Sequence, residues 1–159
     1  MTRQTLAADV LDALAAAWRA DATLTAYGSR LVITDGPPVT DRTHEIELWV
    51  GATGLEPDEA VVSGGQAFVT QNAADDIDET LNIACAIWVA NGTNDIPTAR
   101  RLAIDVFNAA VTAVQGSDLG LGDEVYDATA VVSWQLRQGQ WTSGVGAVLA
   151  FVVQVQGQV

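Results

Sequence analysis

The chain has 159 residues, a formal net charge of -13, 49% hydrophobic residues and only 17% charged ones. That length supports one compact domain spanning residues 1–159, with an extended loop region at about 51–79. All seven basic residues are arginine, which excludes a Walker-A phosphate loop, a Schiff-base lysine and a Ser–Lys nucleophile pair. One cysteine, Cys85, and one histidine, His44, exclude disulfide frameworks and ordinary zinc sites.

An acidic chain without a basic stripe is a poor holder of nucleic acid, because phosphate contacts need clustered Arg or Lys. Such a surface repels DNA, which is useful where DNA must pass without sticking. The apolar content, a mean hydropathy of +0.21 and five tryptophans argue against disorder. Soluble domains carry roughly 25% charged residues, so this chain is short of charge. Either partners cover part of its surface, which predicts self-association, or the composition reflects a coding bias toward Ala, Gly, Val and Arg. The start of the chain is amphipathic, with Asp9 and Asp12, unlike a secretory signal. The longest apolar stretch, 145–153, falls short of the ~20 residues a spanning helix needs, so a soluble cytoplasmic product with no membrane partner is expected.

Residues 6–20 read as a helix, with Leu6, Val10, Leu14 and Trp18 at four-residue spacing and Thr2 or Thr5 as a cap. Residues 30–34 form a short strand that stops at Asp35-Gly36-Pro37-Pro38. Residues 43–50 alternate, with His44, Ile46, Leu48 and Val50 on one face and Glu45, Glu47 and Trp49 on the other. Residues 51–65 read as a loop, punctuated by Gly54, Pro57, Gly64 and Gly65 and carrying Glu56, Asp58 and Glu59. Residues 66–71 follow as a brief strand, and Asp75, Asp76, Asp78 and Glu79 open a longer one.

Residues 80–90 are apolar on both faces, which predicts a central strand covered on both sides. Asn94 or Asp95 caps a second helix with Pro97 in its first turn, and Gly116 is placed to end it. Residues 128–137 and 141–156 form a C-terminal hairpin around Gln138-Gly139, and the returning strand outruns its partner, leaving part of its edge unpaired. The whole is α+β: a mostly antiparallel sheet with two helices packed on one face and a long C-terminal β-hairpin.

Chemistry-bearing residues are sparse. Asp75–Glu79 lacks the alternation and central glycine of a calcium loop and reads as a solvated loop. His44, sharing a face with Ile46 and Leu48, reads as a half-buried hydrogen-bonded histidine. No Gly-x-Ser-x-Gly elbow supports a serine triad around it. Glu45 and Glu47 share a strand face, as glycosidase pairs do, but read as surface carboxylates. Cys85 reads as an inert core thiol. No cofactor, metal or catalytic residue is expected. What remains is interaction surface: Trp49, Trp141, Val148 and Val152 as subunit or tube contacts, tryptophan being enriched at interface centres.

The layout resembles the tail terminator family of tailed bacteriophages, also called minor tail or tail-completion proteins. The likeness lies in the Ala-rich opening helix with Val10, Leu14 and Trp18, the strands at 43–50 and 80–90, the helix at 97–115, and the closing run 144–156. It spans nearly the whole chain, except that residues 51–71 match nothing in it. The resemblance implies a non-enzymatic virion protein of the tail or neck, assembled in the host cytoplasm. It would form a homo-oligomeric ring, a hexamer in this family, that caps the tail tube protein, stops its polymerisation and offers a surface to the head–tail connector protein. DNA would pass through without specific binding, and Glu56, Asp58, Glu59, Asp75, Asp76, Asp78 and Glu79 would supply an acidic lumen or loop. The alternatives are a head-closure or adaptor protein of the neck and, more remotely, a small hydrolase using His44 with a serine.

Overall fold

The computed structural model describes residues 5–38, 44–56, 58–68, 77–91, 95–122, 125, 127–141 and 144–159. The four-residue apolar spacing forms α1, Ala7–Ala20, which buries Val10, Leu14, Ala15 and Trp18. A short α2, Ala22–Thr25, is capped by Asp21, whose carboxylate accepts from the Leu24 amide at 3.0 Å. A single 3-10 turn, Gly28–Arg30, leads into β1, Leu31–Asp35. Then come β2 (Ile46–Val50), β3 (Val62–Phe68) and β4 (Ile77–Asn91). The second long helix, α3 (Ile96–Val114), precedes β5 (Asp127–Trp141) and β6 (Gly144–Gln158).

The ends of α3 are set by local chemistry. The Asp95 carboxylate accepts from the Thr98 amide at 3.2 Å, Pro97 occupies the first turn, where its missing N–H costs nothing, and Gly116 takes a φ of +72° just past the last turn. The first turn of α1 is served differently. The Thr5 hydroxyl accepts from the Ala7 amide at 3.1 Å, while the Leu6 amide donates at 2.7 Å to Glu79, a carboxylate 73 residues away.

The six strands form one sheet in the order β1-β2-β4-β6-β5, with β3 also paired to β4 beyond the end of β2. All pairings are antiparallel except β1 with β2, so the fold is α+β and mostly antiparallel. Helices α1 and α3 cover one face. Beneath them lie Ile46, Leu48, Ile83, Cys85, Ile87, Leu149, Phe151 and Val153, all nearly sealed from water. Trp18 joins the layers: its ring meets Phe151 edge-on at 5.9 Å and its indole N–H donates to the Ala110 carbonyl at 3.0 Å.

Three expectations about the strands are corrected. The hairpin does not turn at Gln138-Gly139, because β5 continues to Trp141 and Gly139 pairs with Gly146. Both hairpin strands are therefore 15 residues long, and β6 lies inside the sheet between β4 and β5, with no unpaired edge. Gly64 and Gly65, read as loop, belong to β3. A Cβ on Gly64 would stand 2.6 Å from the Thr80 carbonyl oxygen, so the close approach of these two strands selects glycine there.

Candidate functional site

The sheet face away from the helices carries a small second core. Trp49 on β2 and Trp88 on β4 stack at 5.4 Å over Ala52, Ala86 and Val148, with Leu55 packed against them. Both faces of β4 are thus covered, as its two-sided apolar pattern requires. The Trp49 indole donates to the Glu47 carboxylate at 3.0 Å, and the Trp88 indole donates to the Thr53 carbonyl at 3.0 Å. The segment 51–59 forms the cover. Gly54 takes a φ of +69°, and a Cβ there would stand 2.6 Å from the Trp49 ring. Glu59 ties the segment together by accepting from the Thr53 hydroxyl and from the amides of Thr53 and Gly54. Burial pushes the Glu59 carboxyl upward, but those donors outweigh it and hold the group below the usual carboxylate range.

Several sequence expectations change here. Trp49 is buried by its own chain, as is Val148, so neither is an exposed contact; Val152 is half-buried. The side chain of Trp141 lies outside the described residues, as do Asp75 and Asp76. Glu47 is buried against Trp49 and not a surface carboxylate. Glu79 is only 4% exposed and accepts from Leu6 and from the Gln66 amide group, so it is not part of an open acidic loop. His44 is exposed, because β2 begins only at Ile46. Among the acidic candidates Glu56 and Asp58 are exposed, and Asp78 is half-buried in β4. Burial pushes the Cys85 thiol up to about 12. No three potential metal ligands converge among the described residues, and among them no helix is long and apolar enough to cross a membrane.

Apart from Val61 before β3, the exposed large apolar residues gather elsewhere, on β5 at one end of the sheet and on the helix beside it. Trp134 is 61% exposed and Val132 51% exposed. Trp134 rests on Phe107 of α3 with ring centroids 6.1 Å apart, and Ile104 lies exposed on the same helix. The ladder between β5 and β6 shifts register between Val131 and Ser133, next to Trp134. Between β5 and the segment that covers Trp49, a groove of about 320 Å³ is floored by Ala150 and Val152 of β6 and flanked by Glu56, Arg137 and Trp134. The opposite end of the sheet is β1, where a second groove of about 240 Å³ is lined by Leu24, Leu31, Val32 and Ile33, with Arg19 at its side. Sequence alternation places Trp134 on the helix face, but it could not show that β5 ends the sheet and leaves the ring uncovered.

In three dimensions the chain is similar to a chain of the virion of a native gene transfer agent (GTA) particle, with a TM-score of 0.69. The match covers 99% of this chain and 100% of that one, at 14% sequence identity. At that identity the likeness establishes a shared fold from end to end. No protein-family model and no curated protein sequence matches the chain.

Proposed function

We propose that this chain is a structural protein of a phage-like particle, and specifically a tail terminator. It assembles into a ring, the hexamer of the resembled family, that caps the tail tube, ends its polymerisation and presents a surface to the head–tail connector. The observation that carries this reading is the end-to-end fold match with a virion chain. The texture of the surface supports it: charge is scarce for a soluble chain, and its exposed tryptophan stands at a sheet edge. The role is non-enzymatic and uses no cofactor. The exposed carboxylates of Glu56 and Asp58 give the ring an acidic surface past which DNA slides by repulsion.

Electron microscopy of the full chain mixed with the tail tube protein of the same particle tests this. The expected result is a ring of uniform diameter on one end of each tube, with tube length no longer increasing. Binding to the portal side and not to tubes would move the assignment to a neck connector. Absence of the chain from purified particles would overturn the virion reading.

A further inference from the structure

Among the described residues the sheet has three edges: β1, β5 and the outer side of β3. Two of them are defended against strand addition. On β1, Arg19 donates from Nε and Nη2 to the Ile33 carbonyl at 3.3 and 3.1 Å, occupying an acceptor of the strand. On β5, the register shifts at Asp127/Ala130 and Val131/Ser133, and the strand carries Arg137. Bulges and charged side chains are the usual means of blunting an edge. β3 has neither. Its seven residues, Val62–Phe68, include no charged residue and no proline, and their register on β4 runs unbroken from Val62↔Ile83 to Phe68↔Ile77. Residues 63 to 67 are all exposed.

The Ala84 amide donates to the Val61 carbonyl at 3.2 Å, which fixes the phase of this ladder. Bonded and non-bonded rows alternate in an antiparallel pair. Ser63, Gly65 and Ala67 therefore bond to β4, while Val62 and Gly64 turn their N–H and C=O groups away from it. On the helix side of this edge lies a hollow of about 410 Å³, lined by Thr5 and Ala7 at the start of α1 and by Val62, Gly64, Gln66 and Leu81. Gly64 leaves it unfilled, because the Thr80 carbonyl bars a Cβ there. An aromatic side chain on a neighbouring strand covers an edge glycine of this kind.

Charge selects the occupant. Through all seven rows of the β3–β4 pairing the charged residues are Asp78 and Glu79, both acidic, and Glu79 also lines the hollow. A second copy of β3 is thus a poor partner: it would bring the same two carboxylates against these and lay another glycine strand over the hollow. We propose that the β3 edge takes an added strand from a different protein, an extended segment that carries Lys or Arg and sets an aromatic side chain over Gly64. The outward groups of Val62 and Gly64 bind its backbone, the hollow takes its ring, and Asp78 and Glu79 favour its positive charge. The site stands apart from the ring reading above and does not depend on it.

Labelled strand peptides of seven residues, the length of β3, are the probe. The first alternates threonine and valine around a central tyrosine, with a lysine at each end. The second replaces the tyrosine by alanine, and the third replaces the lysines by glutamate. Binding to the full chain is read by fluorescence anisotropy, and the backbone by amide hydrogen exchange. The first peptide should bind about tenfold or more tightly than the other two and should slow exchange at the Val62 and Gly64 amides. Val62→Pro removes an outward N–H at the first residue of the strand, where proline is tolerated, and should weaken binding about tenfold. Val62→Ala, which also loses the valine side chain but keeps the N–H, should bind like the wild type. Circular dichroism confirms that both fold; should the proline variant unfold, the exchange pattern of the wild-type chain decides. No binding of the first peptide, or equal weakening by both variants, overturns strand addition. Equal affinity for the glutamate peptide overturns the selection by charge. Dimerisation of the wild-type chain that Val62→Pro abolishes would give the edge to a second copy and overturn the proposal. The virion reading is judged separately, by the content of purified particles.

Discussion

Replacing Glu79 by alanine should destabilise the fold far more than an acidic residue near a loop would suggest. Its carboxylate is buried at 4% exposure and accepts from the Leu6 amide at 2.7 Å and from the Gln66 side chain at 3.1 Å. Leu6 is itself 1% exposed, so losing the carboxylate strands a buried amide donor at the first turn of α1. A hydrogen bond to a charged group contributes about 1.5–3 kcal/mol. A negative charge at a helix N-terminus adds about 0.3–1 kcal/mol. With the Gln66 bond at the low end for its partly exposed position, the expected loss is about 3 kcal/mol. At about 2–4 °C per kcal/mol for a chain of this size, the melting temperature falls by roughly 6–12 °C. Glu79→Gln, which keeps an acceptor but not the charge, should fall between wild type and alanine. Thermal unfolding followed at 222 nm, with urea midpoints as a check, reads both variants. An alanine variant within about 0.5 kcal/mol of wild type, the usual range for surface substitutions, would refute the argument that this carboxylate caps α1.

Three further outcomes follow from the same geometry. Cys85, its thiol pushed up to about 12, should resist alkylation in the folded chain at pH 8 and react fully in denaturant. Its folded-state value lies above the unfolded one, so the stability it contributes is complete below pH 9 and lost as pH rises from 9 toward 12, visible as a falling urea midpoint in that window. Gly54→Ala should cost about 1–2 kcal/mol for its positive φ alone, more with the clash against Trp49, whereas Gly65→Ala, which meets nothing within 4 Å, should be nearly neutral; paired denaturation curves decide. Glu59, held below the ordinary value of 4.5, contributes stability that is present above that value and lost as pH falls below it. Tryptophan emission should therefore shift to the red in acid as the 51–59 cover loosens from Trp49 and Trp88, and Glu59→Gln should remove most of that transition.

What could be read in the sequence is what local chemistry decides. Asp95, Pro97 and Gly116 mark the ends of α3 because caps and helix stops depend on neighbours within a few residues. The two-sided apolar run of β4 announces a covered central strand for the same reason. The failures share the opposite cause. Gln138-Gly139 has turn chemistry, yet a long partner strand keeps pairing through it. Glu79 looks like one of a row of loop acids, and only the fold brings the start of α1 to it. Trp49 and Trp134 carry the same sequence signal, a tryptophan on an alternating strand. Which one is covered depends on strand order, since Trp49 sits beside β4 under the 51–59 segment and Trp134 sits where the sheet ends.

The lengths of the strands and helices are unequal in a way that bears on mechanics. Fifteen-residue strands extend about 50 Å, whereas α3 with its 19 residues covers about 28 Å. The plate formed by β4, β6 and β5 therefore overhangs its longest helix by some 20 Å. Tension applied along that plate would be carried by β4 and β6 in shear, with every cross-strand row from Asp78–Gln158 to Asn91–Val145 loaded at once and none peeled in turn. A chain built this way is stiff along its strands and compliant across its edges.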